Sequence, residues 1–315
     1  MAELFDIVVR RQIYIEGLKA TKGVEFAAAL AKLRTELAHR LAGFEYDDLG
    51  NATKTSIRKL IVDLRKIAKA VFDPYLTALI DWLQRFVRVD LALLAMSYGE
   101  ARPDRRDALQ TAPNSDDMWA LAIAAPLAAT GTLALPFLAA LLPSLYVKLE
   151  RLTMQHFANR STRADLITAI VGSPNTKEAQ GYLRQLQAQS NAATNTVLQH
   201  LANQINDTLG SKIVGFYEWV SVLDDRTTKI CTDRDGNRYA YGRGPIPPAH
   251  VNCRSTTVPV DIDAPASPNS FSQWLRGQPD EFVSDALDGR RGARYERASP
   301  ITLNAYGAKG PLITA

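Results

Sequence analysis

Residues 219–260 read WVSVLDDRTTKICTDRDGNRYAYGRGPIPPAHVNCRSTTVPV. Both cysteines of the chain, Cys231 and Cys253, fall inside this stretch, together with His250, one of four histidines. Val214 to Val222 is apolar and aromatic and predicts a strand. Arg238 to Tyr241, after the Asp235-Gly236 turn, predicts a second short strand, and Thr256 to Val260 a third. Three short strands, two turns and a gathering of thiols predict a small β-rich knob. Two thiols and an imidazole in one loop-rich segment point to a cross-linked or metal-bound unit, because a packed apolar core does not need them.

Zinc prefers four tetrahedral ligands drawn from thiolate, imidazole and carboxylate. Cys231, His250 and Cys253 supply three, with two residues between His250 and Cys253 and the Pro247-Pro248 pair stiffening the arm. Asp224, Asp225, Asp233 or a water is the expected fourth. Two other readings stay open. Without metal, the cysteines are packed thiols and His250 hydrogen-bonds to a strand. In an oxidising compartment, Cys231 and Cys253 can pair as a disulfide if the strands bring them together.

A hydrolase or nuclease built on this group is the alternative from another functional class, since an open zinc site near carboxylates can activate a water. Against it, the knob holds a single histidine, so no second imidazole is available as a general base. No glutamate follows the ligands as in zinc deaminases. The chain carries no P-loop, dinucleotide fingerprint, nucleophile elbow or HExxH helix. A non-enzymatic role is therefore expected. Asp235-Gly236 reads as a turn rather than as an acid.

The same segment resembles the phage head morphogenesis (Mu F-like) minor head proteins. The shared elements are Trp219, Asp224-Asp225-Arg226-Thr227, Cys231, Asp235-Gly236 and Pro248-Ala249-His250-Val251-Asn252-Cys253-Arg254. The resemblance extends weakly upstream to about Arg163 and downstream to Phe271-Ser272-Gln273-Trp274-Leu275. It does not cover the first 150 residues. Family members often carry further cysteines where this chain has Thr228 and Ser255. The resemblance implies a low-copy, portal-associated component of the capsid interior of a tailed bacteriophage, made in the host cytoplasm and oligomeric in the virion. It would act in head assembly and in DNA packaging, retention or ejection, with portal and capsid proteins and double-stranded DNA as partners.

Elsewhere the sequence predicts helices, so the expected fold class is mainly α with a small C-terminal β-rich (α+β) knob. Residues 1–100 form an amphipathic helical region. Leu30, Leu33, Leu37 and Leu41 mark one stripe, and Ile57, Leu60, Ile61, Leu64, Ile67 and Val71 the next. The opposite side of the second stripe carries Arg58, Lys59, Arg65, Lys66 and Lys69, read either as a solvated face or as a DNA contact. Asp73-Pro74 is expected to end one helix and start another. Residues 101–117 predict a linker. Residues 118–147 carry no charge and are long enough to span a bilayer, but Pro126, Pro136 and Pro143 break them into a hairpin of short helices. That hairpin is expected to be buried or to form a subunit interface; entry into a membrane as an ejected conduit is a third functional reading. Residues 148–212 predict a helical interface region. Its last helix, from Thr176 to Leu209, is polar with a narrow stripe (Leu183, Leu186, Ala193, Val197, Leu201, Ile205) and a cap at Gly210. The knob occupies 213–262, and 263–315 is an extended tail with Arg290, Arg291, Arg294 and Arg297.

Composition agrees with a folded, mildly basic protein: 46% of residues are apolar and the formal charge is +4, which excludes wholesale disorder. Two cysteines are too few for a disulfide framework. The first residues lack the layout of a signal peptide, so a reducing cytoplasm is the expected place of synthesis.

Overall fold

A computed structural model describes residues 2–172, 181–223, 226–264 and Trp274. Helices α1 (Ala2–Ala42), α2 (Lys54–Ala101), α3 (Arg106–Gln110), α4 (Ser115–Ala124), α5 (Ala134–Ala139), α6 (Leu141–Ala158), α7 (Arg163–Val171) and α8 (Gly181–Ile213) precede the knob. Strand β1 (Phe216–Val220), helix α9 (Lys229–Arg234), β2 (Arg238–Ala240) and β3 (Thr256–Val260) build it. The fold is mainly α with a small antiparallel sheet near the C-terminal end.

Compactness divides the chain otherwise than the sequence segments do. One unit gathers the described residues of Met1–Lys22, Asp81–Ala134 and Ala193–Ala315; the other gathers Gly23–Ile80 and Leu135–Ala192. Each long helix contributes to both. The expected linker at 101–117 contains α3, whose Leu109 is buried.

In the second unit, Leu30, Leu33, Leu37 and Leu41 of α1 and Ile57, Leu60, Ile61, Leu64 and Val71 of α2 are buried, as their spacing predicts, while Ile67 is only half-buried. Proline 74 does not end a helix: α2 runs through it. A proline removes one backbone donor and crowds the preceding turn. Here aromatic packing flanks the defect, with Phe26 lying 5.8 Å from Phe72 and 5.0 Å from Tyr75. Local propensity loses to burial. Pro136 and Pro143 sit in the first turns of α5 and α6, where backbone N–H groups have no intrahelical partner anyway. Helix α6 therefore begins seven residues before Lys148, inside the uncharged stretch. The stretch is divided into short helices as expected, with a Pro126–Leu133 bridge closing the turn between α4 and α5. Among the described residues no helix is long and apolar enough to cross a membrane.

In the first unit, the N-terminal part of α1 is buried nearly all round, against the amphipathic expectation. It includes Arg11, 1% exposed, which donates through Nε to Asp90 Oδ1 at 2.9 Å and through its terminal nitrogen to Ala202 O at 2.7 Å. Helix α8 also contributes to the core here. Gln199, His200, Asn203 and Asn206 are buried along with its apolar stripe. Their polarity has a purpose. In the sheet, ordered β2-β1-β3, strand β3 is an edge. Gln199 Nε2 and Asn203 Nδ2 donate to Ser255 O at 3.0 and 3.3 Å, and Asn206 Nδ2 donates to Thr257 O at 2.5 Å. Side-chain amides thus stand in for the missing neighbouring strand. Strand β1 pairs with both others, Tyr217 opposite Tyr239 and Pro259.

Gly210 is not the end of α8, which continues to Ile213. A Cβ there would lie 2.0 Å from Tyr241 Oη and 3.1 Å from Pro259 Cγ. Glycine is required by close approach, not by a cap. Gly210→Ala should destabilise the protein by about 1–2 kcal/mol in urea denaturation, because overpacking outweighs the better helix propensity of alanine. The penalty should shrink in a Tyr241→Phe background. A stabilised Gly210→Ala protein would show that the approach is not tight.

Candidate metal centre

Strand β1 fixes the floor of the site. Trp219 is fully buried, and its Nε1 donates to Ser221 Oγ at 2.9 Å. That hydroxyl also donates to Cys231 O at 3.0 Å and meets Ser255 Oγ at 2.9 Å. One serine therefore ties β1 to α9 and to the start of β3. Helix α9 follows Thr228, whose side chain makes no capping bond, and closes at Asp235 and Gly236, the latter at φ +76°. Asp235 is more than a turn residue: its Oδ1 accepts from Ser221 N at 2.6 Å, and burial raises its pKa. The guanidinium of Arg234 lies 5.1 Å from the Trp219 ring centroid.

The other arm is held from α8 and α1. Asn195 Nδ2 donates to Asn252 Oδ1 at 2.9 Å, and Asn252 N donates to Thr196 Oγ1 at 2.8 Å. Asn252 takes φ +63°, a region asparagine tolerates. Lys19 Nζ donates to Cys253 O at 3.4 Å and to Gln199 Oε1 at 2.6 Å.

These supports bring the three predicted ligands together. Cys231 Sγ lies 3.7 Å from Cys253 Sγ and 3.3 Å from His250 Nε2. All three ligand atoms fall within 4.8 Å of one another. Zinc–sulfur and zinc–nitrogen bonds of about 2.3 and 2.0 Å put tetrahedral edges at roughly 3.8 and 3.5 Å, close to what is observed. His250 Nδ1 faces Val251 O at 2.9 Å. A proton on Nδ1 leaves the Nε2 lone pair directed at the sulfurs, the tautomer a metal ligand needs. The cysteines are free thiols, both buried. Between them, the hydrogen bond from Cys231 favours the Cys253 thiolate and lowers its pKa despite burial. The same bond, followed by burial, raises that of Cys231. The cluster can hold a metal ion, and the arrangement also suits a thiol–imidazole hydrogen bond without one.

Comparison with known proteins found no matching family model, no matching curated protein and no matching solved structure.

The expected fourth ligands fare differently. Asp233 faces outward on α9, where Lys229 Nζ holds it at 2.7 Å, and does not join the cluster. Asp224 and Asp225 lie outside the described residues, as do the tail arginines. Ser221 escaped sequence reasoning, because an isolated serine carries no spacing signal.

The basic face lies on α2. Arg58, Lys59, Lys66 and Lys69 are exposed, and Arg65 is half-buried. Two of the five are engaged: Arg65 pairs with Glu150 and packs 5.8 Å from the Tyr146 ring centroid, and Lys69 pairs with Asp73 at 2.5 Å.

Protein purified without chelators should carry one metal ion per chain by elemental analysis. Cys253→Ser should lose it and should lower hydrogen-exchange protection from Trp219 to Val260 while α2 keeps its own, since a small knob has little core of its own. Metal-free wild-type protein with a fully protected knob would contradict a metal-held centre.

Proposed function

We propose that this chain is a minor head protein of a tailed bacteriophage, an internal, portal-associated capsid component acting in head assembly and in DNA packaging, retention or ejection. The observation that carries the reading is the convergence of the resembling residues. Trp219, Cys231 and Cys253 share one buried cluster, with His250 beside Cys231 and Asp235 bracing β1. Residues far apart in the segment share one site, which supports treating them as a single unit rather than as a chance pattern. The metal is zinc, held by Cys231, His250 and Cys253. Two thiolates and one imidazole are a donor set zinc favours, and its charge would stabilise both sulfurs as thiolates. Its role is structural: it ties α9 to the arm that enters β3.

The protein works by binding. Leu121 and Leu133, 55% and 42% exposed, leave apolar surface around the α4–α5 turn for portal or capsid subunits. The unit formed by Gly23–Ile80 and Leu135–Ala192 holds fifteen lysines and arginines against ten acidic residues. It is the part suited to meet packaged DNA.

Two expected outcomes test this. Leu133→Asp should fold normally, because the side chain is exposed, yet should be lost from assembled heads when scored by mass spectrometry of purified particles. Normal incorporation would remove the α4–α5 surface from the interface. Duplex DNA should bind weakly and without sequence preference, with log K falling against log salt at a slope of roughly −3 if Arg58, Lys59 and Lys66 each neutralise a phosphate. Reversing those three charges should abolish binding. Salt-insensitive binding, or none at low salt, would leave a purely protein-binding role.

A further inference from the structure

Trp274 is 7% exposed and is seated on the first turns of α1. Its Nε1 donates to Asp6 Oδ1 at 3.1 Å. The other oxygen, Asp6 Oδ2, accepts from Arg10 Nε at 2.8 Å, and the Arg10 guanidinium lies 5.5 Å from the indole centroid. Asp6 and Arg10 stand four residues apart in one helix, so they share a side of α1. One carboxylate therefore does two things: it accepts the indole N–H, and it fixes the cation that faces the ring. Tryptophan suits both parts, because its N–H only donates and its ring attracts cations best among the aromatics. The path toward that ring is held where it leaves β3. Arg238 donates to Glu218 Oε2 at 3.2 Å and to Ala264 O at 2.6 Å. Residues 265–273, PASPNSFSQ, connect Ala264 to Trp274. Two prolines and three serines give this connection the composition of a linker.

We propose that the Asp6–Arg10 face of α1 is a docking site for tryptophan that a second copy of this chain fills with its own Trp274, so that neighbouring copies are joined by exchanged tails. Site and ligand stand in the same chain, one on each side of a linker. The hydrogen bond and the cation–ring contact are the same whether the indole comes from the chain itself or from a neighbour. Exchange therefore loses neither contact, and concentration decides which indole is bound. A short linker holds the chain's own tail at an effective concentration on the order of millimolar. In dilute solution the site is filled from within. Where copies are packed side by side, neighbouring tails reach the same effective concentration and the exchange joins them. The docking site is separate from the Cys231–His250–Cys253 cluster and needs no metal.

Two full-length variants test this. Trp274→Ala leaves the α1 face vacant. Asp6→Ala, at a half-exposed side chain, spoils the face and leaves the indole without its site. Neither chain can satisfy itself, but the tail of the second fits the face of the first. Mixed at concentrations on the order of 100 μM, the two should form a heterodimer by native mass spectrometry, with one chain isotopically labelled, beyond any association either shows alone. Adding Trp274→Ala to the Asp6→Ala chain should weaken that association about tenfold or more, since a hydrogen bond to a charged group and the ring contact are both lost. No heterodimer in the mixture, or one that persists undiminished when both chains lack Trp274, would overturn the proposal. Should Trp274→Ala fail to fold by circular dichroism, Trp274→Leu keeps apolar cover on α1 without the donor. It should pair with Asp6→Ala in the same way, and its failure to do so would equally overturn the exchange.

Discussion

Ser255 and Thr257 turn their carbonyl oxygens to the open edge of β3, and Gln199, Asn203 and Asn206 of α8 donate to them. Much else follows from that ladder. An unpaired buried carbonyl costs about 1–3 kcal/mol, so β3 stays in register only while the amides meet it. The ladder is itself anchored. Tyr98 donates to Asn206 Oδ1, Thr256 Oγ1 donates to Asn203 Oδ1 at 3.1 Å, and Gln12 Nε2 donates to Gln199 Oε1 at 2.9 Å. Helices α1, α2 and α8 thus share one buried polar network with the sheet. Such networks are stabilising only when every member is satisfied.

Cys253 lies two residues before Ser255, so the first rung of the ladder also sets where that sulfur stands. Ser221 sets the other, by bonding Cys231 O and Ser255 Oγ from β1. The ligand geometry is therefore a consequence of strand register. It does not require flexible loops to find one another. Buried Arg11 plays a comparable part for the helices, joining α2 through Asp90 to α8 through Ala202 O. Removing one partner of such a pair typically costs about 3–5 kcal/mol.

Much of the knob was legible in the sequence because its signals are local. Alternating aromatics marked β1, the Asp235-Gly236 turn marked the step into β2, and a run of β-branched residues marked β3. Cysteine and histidine spacing pointed to the cluster. Features decided by tertiary contact were not legible. Pro74 reads as a break, and only the packing of Phe26, Phe72 and Tyr75 carries α2 through it. Gly210 reads as a cap until Tyr241 is seen to need its space. The amides of α8 read as part of an interface helix. Their partners are backbone carbonyls some fifty residues away, and a carbonyl has no signature in a sequence. Asp233 is one of the carboxylates expected as a fourth ligand, yet it is exposed on α9 and paired with Lys229.

Helix α8 holds β3 and through it places the cluster. Hydrogen exchange on an Asn203→Leu, Asn206→Leu variant tests it most directly, since leucine keeps the volume and removes the donors. Protection should fall about ten- to a hundredfold across β1 and β3, with α9 and the segment around Cys253 loosening alongside. The helix made by Leu33, Leu37 and Leu41 should keep its protection. Unchanged protection of β3 in that variant would mean that pairing with β1 alone holds the strand, and that the amides of α8 do not.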